Sequence, residues 1–197
     1  ATWVLLGILI TGAFSVVLFF ILDAVRANTQ PSSAAIVQEG SEDSYTGLVI
    51  DPPITLADFT LTDQNGSPFQ LNSLRGRAVL MFFGYTHCPD YCPTTLHDFT
   101  RVKELLGDAA NDVAFVFISV DGERDTPEVI ANFIDLFDSS FIGLTGTPEE
   151  VLQIGEPFGI TVERVPVESS LGYSVTHTVA MFILDRDGRW VRRISYA

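Results

Sequence analysis

Cysteine and basic residues are both scarce in this 197-residue sequence. Two cysteines are too few for a disulfide-dense secreted scaffold or for a multi-cysteine zinc or iron–sulfur module. Lys and Arg number 11 against 25 Asp and Glu, which gives a formal net charge of −14. This charge argues against nucleic acid as a partner, because phosphate binding needs a basic surface. With these classes of protein excluded, the sequence allows one functional site built around its single pair of cysteines.

Charged residues of either sign are also few, at 18% of the chain against roughly 25% in an ordinary soluble domain. Residues 3–22 contain no charge and no proline. A helix of that length would rise roughly 30 Å, which is the thickness of a bilayer core. A cleaved signal peptide would have an apolar region of about 7–15 residues followed by a small-residue cleavage site, which residues 22–26 do not offer. We therefore predict an uncleaved transmembrane anchor over residues 1–26.

Residues 27–53 are rich in Ser, Gly, Pro and acidic residues and show no periodicity, so we predict a flexible linker there. The alternative is that much of this segment packs on the domain. Residues 54–197 have the pattern of a globular domain. It opens with two alternating stretches around Asn65-Gly66, a dipeptide typical of a tight turn, and these predict an N-terminal β-hairpin.

Apolar runs alternate with amphipathic segments through the rest of the domain. Strands are predicted from apolar runs at residues 78–83, 113–120, 141–144, 178–184 and 190–195. Helices are predicted from start signals at Pro93, at Asp125-Thr126-Pro127-Glu128 and at Thr147-Pro148-Glu149-Glu150. Strands that alternate with helices predict an α/β fold with a mixed sheet flanked by helices.

Cys88 and Cys92 lie between the end of a predicted buried strand and the start of a predicted helix. Because Pro93 suits the first helical position, Cys92 is expected near the N-cap, where unpaired backbone N–H groups favour a thiolate. Gly84, at the strand end, is expected to permit a close approach below the site. The spacing allows both thiolates to bind one metal ion or to close into a disulfide. Soft thiolates select Cu(I) or Zn(II), and two of them leave at least one further ligand to be found.

The three histidines are the candidates for that ligand. His87 adjoins Cys88, but neighbouring residues on an extended chain point opposite ways, so a loop role is favoured. His97 is expected at an exposed position inside the helix. His177 precedes a predicted strand, and on the residues alone a loop histidine with satisfied hydrogen bonds is its default interpretation. The residue pattern by itself therefore leaves the third ligand open.

Three ordered motifs resemble the Sco/SenC family over residues 52–195. They are FTLTDQNG with LRGRAVLMFFGYTHCPDYCPTTL, then ISVDGERDTP, then THT at residues 176–178. The resemblance implies a thioredoxin-like fold anchored by one N-terminal transmembrane helix. It also implies copper, as Cu(I) or Cu(II), bound by Cys88, Cys92 and His177, and a role in building the binuclear copper site of cytochrome c oxidase.

Two functions follow from this resemblance. The first is a membrane-anchored metallochaperone that delivers copper to the copper-binding subunit of cytochrome c oxidase. The alternative is a thiol–disulfide oxidoreductase, in which Cys88 and Cys92 reduce the cysteines of that site and His177 is dispensable. A copper donor or a thiol reductant protein is a further expected partner. The expected location is the extracytoplasmic side of a bacterial plasma membrane or the mitochondrial intermembrane space.

The sequence also suggests a role for each of four further residues near these motifs. Gly122 stands where the family usually has proline, so a looser loop is expected. Tyr91, between the cysteines, is expected either to shield the metal or to present its hydroxyl. Asp90 is interpreted as a solvated loop residue rather than part of an acidic docking rim. Asp121 is left open between turn or helix capping and a functional role, either in that rim or in a hydrogen bond to His177.

Overall fold

The computed structural model describes residues 47–169 and 172–195. The predicted anchor over residues 1–26 and residues 27–46 of the predicted linker lie outside the described residues and remain predictions. Within the described ranges, no helix is both long enough and apolar enough to cross a bilayer.

Within the described residues, ten strands form two sheets. They are β1 (Leu48–Thr55), β2 (Thr60–Asp63), β3 (Pro68–Gln70), β4 (Ala78–Gly84), β5 (Val113–Ser119), β6 (Ile142–Thr145), β7 (Val162–Pro166), β8 (Tyr173–His177), β9 (Ala180–Leu184) and β10 (Arg189–Ser195). The main sheet has the order β1-β10-β9-β4-β5-β6-β2-β3, with β4, β5 and β6 parallel and the other pairs antiparallel. β7 and β8 form a separate antiparallel pair. The predicted mixed sheet and N-terminal hairpin, β2–β3, are confirmed, and the fold is thioredoxin-like.

In the part of the chain that the structure describes, three α-helices flank this sheet: α1 (Tyr91–Leu106), α2 (Pro127–Asp135) and α3 (Pro148–Gly155). The predicted capping box of α3 is confirmed, because Thr147 and Glu150 exchange side-chain-to-backbone hydrogen bonds. The prediction that Pro93 is the first helical residue is wrong, since α1 begins at Tyr91. Proline lacks only an N–H that has no partner in the first turn, so the helix can start ahead of it.

Neighbouring aromatic residues of β4 pack on opposite faces of the main sheet, as the pleat requires. The Phe82 ring faces Phe117 of β5, which in turn contacts Phe133 of α2. The Phe83 ring contacts Phe158, which follows α3, and Phe182 of β9. β4 is therefore buried on both faces, which is what its continuous apolar sequence predicts.

The boundary between linker and domain differs from the prediction. Residues 48–53, predicted as linker, belong to β1, which pairs with β10 near the other end of the chain. Their composition suggested a linker because they include Pro52 and Pro53. Both prolines lie where the register of this edge strand shifts, between Val49 and Ile54, and prolines are tolerated at such positions.

The hairpin of β7 and β8 is absent from the sequence-based prediction. His177, expected in a loop, is the last residue of β8 and pairs with Val162 of β7. Most residues of β7 are exposed, so the segment has no apolar run or clear alternation to mark it as a strand. Its pairing partner, rather than its own pattern, makes it extended.

Candidate metal centre

The two cysteine side chains converge at the junction of β4 and α1. Cys88 is half-buried in the loop, whereas Cys92 is completely buried in the first turn of α1. The loop curls so that the backbone N–H of Cys92 donates to Cys88 Sγ at 3.4 Å. Both cysteines are free thiols rather than a disulfide. The strand-to-helix placement expected from the motif is thus what the structure shows.

Gly84 makes room for the buried sulfur. A Cβ atom at this position would lie 2.9 Å from Cys92 Sγ and 2.6 Å from a ring carbon of Phe82. Real Cβ atoms do not approach other atoms so closely, so a side chain here would push the sulfur or the ring away. The close approach expected at Gly84 is confirmed.

His177 reaches this junction from the end of β8. Its Nε2 atom lies 4.0 Å from Cys92 Sγ. Its Nδ1 atom lies 2.9 Å from the carbonyl oxygen of Thr178, and because a carbonyl only accepts, Nδ1 is the donor. In the neutral ring the lone pair of Nε2 therefore faces the sulfur. Edge-to-face packing against Phe82 and Tyr85, with centroids 6.2 and 5.8 Å away, holds the ring in this orientation.

The two thiols share one proton unequally. The hydrogen bond from the Cys92 side chain, helped by backbone N–H groups including that of Cys92, outweighs burial and lowers the pKa of Cys88 to about 4. The same bond to Cys88, followed by burial, raises the pKa of Cys92. At neutral pH the half-exposed Cys88 is thus a thiolate and the buried Cys92 a thiol.

These three side chains have the donor set of a soft-metal site. Sulfur and nitrogen ligands about 2.0–2.3 Å from a shared ion lie roughly 3.5–4 Å from each other, and the 4.0 Å between Cys92 Sγ and His177 Nε2 is close to that range. In the described part of the chain, no three His, Cys, Asp or Glu side chains are already grouped as a metal site. These side chains would therefore have to move to close around an ion.

The other two histidines point elsewhere. His87 is exposed, with its Nδ1 atom 3.1 Å from the hydroxyl of Thr86 and 3.8 Å from a carboxylate oxygen of Asp125. His97 is exposed on α1. These positions agree with the loop and exposed-helix placements expected from the sequence.

Asp125 is a site residue that sequence reasoning assigned only to a helix start. It is completely buried. Its carboxylate accepts hydrogen bonds from the backbone N–H and the hydroxyl of Thr86, at 2.9 and 2.6 Å, and from the hydroxyl of Ser119 at 2.6 Å. It therefore ties the cysteine loop to the end of β5. Its position just after β5 could have indicated this role, because the carboxyl ends of parallel strands lie at one edge of the sheet.

The predictions for Asp121 and Asp90 compare differently with the structure. Asp121 is completely buried, and its carboxylate pairs with Arg124 and accepts a 2.6 Å hydrogen bond from the hydroxyl of Tyr173. Of the alternatives left open for Asp121, the hydrogen bond to His177 is not made, because the Nδ1 donor of that ring is used by Thr178. Asp90 is exposed and its side chain makes no capping bond, which agrees with a solvated loop residue.

The looser loop expected at Gly122 is not what the structure shows. A Cβ atom on Gly122 would lie 1.9 Å from the carbonyl oxygen of Gly146, so this loop packs directly on a neighbouring backbone. In this chain a side chain at position 122 would therefore require the neighbouring backbone to shift. Tyr91 is 46% exposed at the start of α1, so much of its ring lies on the protein surface.

Comparison with known proteins gives a consistent result. The family model described as SCO1/SenC matches residues 50–197. The SCO2-like protein of Rickettsia prowazekii is 38% identical over 135 residues, which cover 68% of this chain and 66% of that protein. The chain therefore spans just under two thirds of the length of that relative.

Solved structures are similar as well. Copper-bound ScoI of Bradyrhizobium japonicum is 41% identical, with a TM-score of 0.66 over 71% of this chain and 88% of that one. BsSco, described as a member of the Sco family of cytochrome c oxidase assembly proteins with a disulfide switch, is 26% identical. Its TM-score is 0.58 over 74% of this chain and 86% of that one.

Proposed function

Because this chain belongs to the SCO1/SenC family, we propose that it is a copper-binding protein of cytochrome c oxidase assembly. Cys88, Cys92 and His177 hold the copper, which is the cargo of the protein. The observation that carries this proposal is the lone pair of His177 Nε2, directed at Cys92 Sγ from 4.0 Å beside a thiolate on Cys88. The copper bound in ScoI of Bradyrhizobium japonicum supports it.

The donor set suits both oxidation states of copper. Thiolates favour Cu(I), and an imidazole nitrogen adds an acceptable ligand for Cu(II). Cys92 must lose its proton when it binds the ion, so loading releases that proton. Cys88 is the more exposed ligand, and the sulfur of a recipient protein reaches the ion on that side. The ion then passes to the recipient by stepwise exchange of ligands.

The proposed recipient is the copper-binding subunit of cytochrome c oxidase, at its binuclear copper site. We further propose that residues 1–26 anchor the protein in the membrane and that the domain lies on the extracytoplasmic side of a bacterial plasma membrane or in the mitochondrial intermembrane space. A copper donor protein would load the site.

The test is copper binding by the whole chain and by three variants. Cys88→Ser should abolish binding of one equivalent of Cu(I), and His177→Ala should weaken Cu(II) binding by more than the roughly 10- to 100-fold that loss of an outer-sphere partner costs, because it removes a ligand. His97→Ala, which changes an exposed histidine on α1, is the matched control and should bind like the wild type. X-ray absorption should show two sulfurs and one nitrogen around copper. A copper shell without sulfur would refute the proposal.

The lowered pKa of the half-exposed Cys88 also favours a second function, thiol–disulfide exchange. The Cys88 thiolate attacks a disulfide of the partner, forming a mixed disulfide and releasing one partner thiolate. Cys92, after losing its proton, attacks the Cys88 sulfur and releases the second. The partner gains two electrons and leaves as a dithiol, while this chain becomes a Cys88–Cys92 disulfide that a dithiol reductant protein must reduce.

His177→Ala separates the two functions. It should impair copper binding while leaving reduction of a disulfide peptide within about twofold of the wild type. Equal loss of both activities would contradict an exchange mechanism in which His177 is dispensable.

A further inference from the structure

The hairpin of β7 and β8 carries His177 but is not part of the main sheet. A two-stranded hairpin alone is marginally stable in water. Base contacts exist, since the Thr178 backbone N–H donates to the carbonyl of Thr161 at 3.2 Å and Val175 is buried. The outer half of the hairpin, towards Tyr173, needs other contacts to remain against the domain.

Those contacts come from the loop that follows β5. Arg124 donates from Nη1 to the carbonyl oxygen of Tyr173 at 2.9 Å, and its guanidinium carbon lies 3.7 Å from the centre of the Tyr173 ring. The Tyr173 hydroxyl donates to Asp121 at 2.6 Å, and Asp121 also pairs with Arg124. We call these three residues, Asp121, Arg124 and Tyr173, the latch.

The latch joins groups that are costly to separate. Asp121 is completely buried, so loss of either partner leaves a carboxylate without full compensation in the protein interior. Burial, and next the bond to Asp121, raise the pKa of Tyr173, so its hydroxyl keeps the proton that it donates. Arg164 of β7 also borders the latch: it pairs with Glu123 at 2.8 Å, lies 3.9 Å from a carboxylate oxygen of Asp121, and has its guanidinium carbon 5.1 Å from the centre of the Tyr173 ring.

Tyr173 and His177 are the two ends of one short strand. Four residues of extended chain span roughly 13 Å, so the latch does not touch the proposed metal ligands. It acts on His177 only through the position of the hairpin. Tyr85 also contacts the hairpin, because its ring packs on His177 and its hydroxyl lies 3.4 Å from that of Ser174.

We propose that the latch holds the hairpin so that His177 faces Cys92, which makes Asp121, Arg124 and Tyr173 positioning residues for the nitrogen ligand. This rests on the proposed copper site. Opening of the latch withdraws the nitrogen donor and leaves both sulfur donors in place on the loop and α1. The hairpin is thus the part of the site through which a partner can weaken copper binding without disturbing the cysteines.

The test uses Tyr173→Phe and Arg124→Gln in the whole chain, with Arg186→Gln, which breaks an exposed ion pair with Asp112, as the control. Cu(II) alone is the probe. Each latch variant should raise the Cu(II) dissociation constant roughly 10-fold, and the control should change it less than about twofold. In a His177→Ala background the latch variants should cause no further loss, because coupled residues are not additive. An equal loss in that background would overturn the proposal.

A measurement on the metal-free chain tests the role of the latch independently of copper. Amide hydrogen exchange at residues 173–177 should accelerate in Tyr173→Phe, while exchange in β4 and β5 stays unchanged. The nitrogen chemical shifts of the His177 ring should move away from the pattern of a fixed Nδ1–H form. Unchanged exchange and unchanged shifts would refute the latch. Failure of the wild-type chain to bind copper through its cysteines would refute the proposed function instead, whatever the hairpin measurements show.

Discussion

At the scale of single residues, the positions of two protons, one on His177 and one on Cys92, define the site. His177 keeps its proton on Nδ1 because the carbonyl of Thr178 accepts it, and this leaves Nε2 free to act as a ligand. The Cys92 thiol donates to Cys88, which stabilises a thiolate on the half-exposed sulfur. The site therefore combines a ready nucleophile with a buried thiol and an oriented imidazole.

The thiolate on Cys88 leads to a prediction for alkylation of the metal-free chain by iodoacetamide. With a pKa of about 4, Cys88 stays ionised from pH 8 to pH 5.5, so its labelling rate should remain nearly constant there. An ordinary thiol, with a pKa of about 8.5, would lose roughly tenfold in rate per pH unit. Mass spectrometry of the labelled peptide gives the rate.

Cys92→Ala is the companion variant, because it removes the largest cause of the lowered pKa of Cys88. Its labelling at Cys88 should become strongly pH-dependent. A tenfold fall per pH unit in the wild type would show that Cys88 is an ordinary thiol.

At the scale of secondary-structure elements, the site is built where parallel strands end together. β4 and β5 pair in register with Gly84 opposite Ser119, so the cysteine loop and the loop after β5 leave the sheet side by side. Asp125 connects them through Thr86 and Ser119. The second of these loops also carries the latch, so one loop supports both the cysteine side and the histidine side of the site.

Asp125→Asn should loosen this connection. The amide replaces one acceptor oxygen by a donor nitrogen, so the buried hydrogen bonds from Thr86 and Ser119 must rearrange. We expect a loss of about 1–3 kcal/mol in the free energy of unfolding, measured by urea denaturation. Asp98→Asn, which affects an ion pair with Arg101 on the surface of α1, should change it by less than about 0.5 kcal/mol. Equal effects of the two substitutions would contradict the role given to Asp125.

At the scale of the whole molecule, burial of large side chains rather than pairing of charges holds the domain together. Aromatic rings fill both faces of the main sheet, around Phe82 on one and Phe83 on the other. The ion pair of Lys103 with Asp138 links α1 to the segment after α2 and is partly exposed. Such a pair contributes modestly to stability and depends on pH.

The pKa of Asp138 determines the pH range in which this ion pair stabilises the domain. Burial raises its pKa, but bonds from Lys103 and Ser140 outweigh burial, so its pKa in the folded chain is below the ordinary 3.8. The folded state therefore binds this proton less readily, and the stabilisation is present above pH 3.8 and lost as pH falls through the lower folded value. Lys103→Met should lower the free energy of unfolding by roughly 0.5 kcal/mol at pH 6 and have little effect near pH 2. Urea titrations at both pH values test this; an equal effect at both would contradict it.

Features that depend on neighbouring residues could be predicted from the sequence. The buried strands β4 and β5, the capped helix α3 and the cysteine pair at a strand–helix junction all follow from hydrophobic runs, capping residues and turn signals a few positions apart. The inclusion of β1 in the sheet could not, because its partner strand lies at the far end of the chain.

By itself, the sequence determined the sulfur half of the site and the elements that carry it, since those signals are local. Only the tertiary structure decided how a histidine 85 residues away meets Cys92, which of its nitrogens carries the proton, and how Asp125 and the latch support the two sides. The physical reason is that these contacts join segments through packing and buried hydrogen bonds, and their geometry exists only once the sheet and the hairpin have formed.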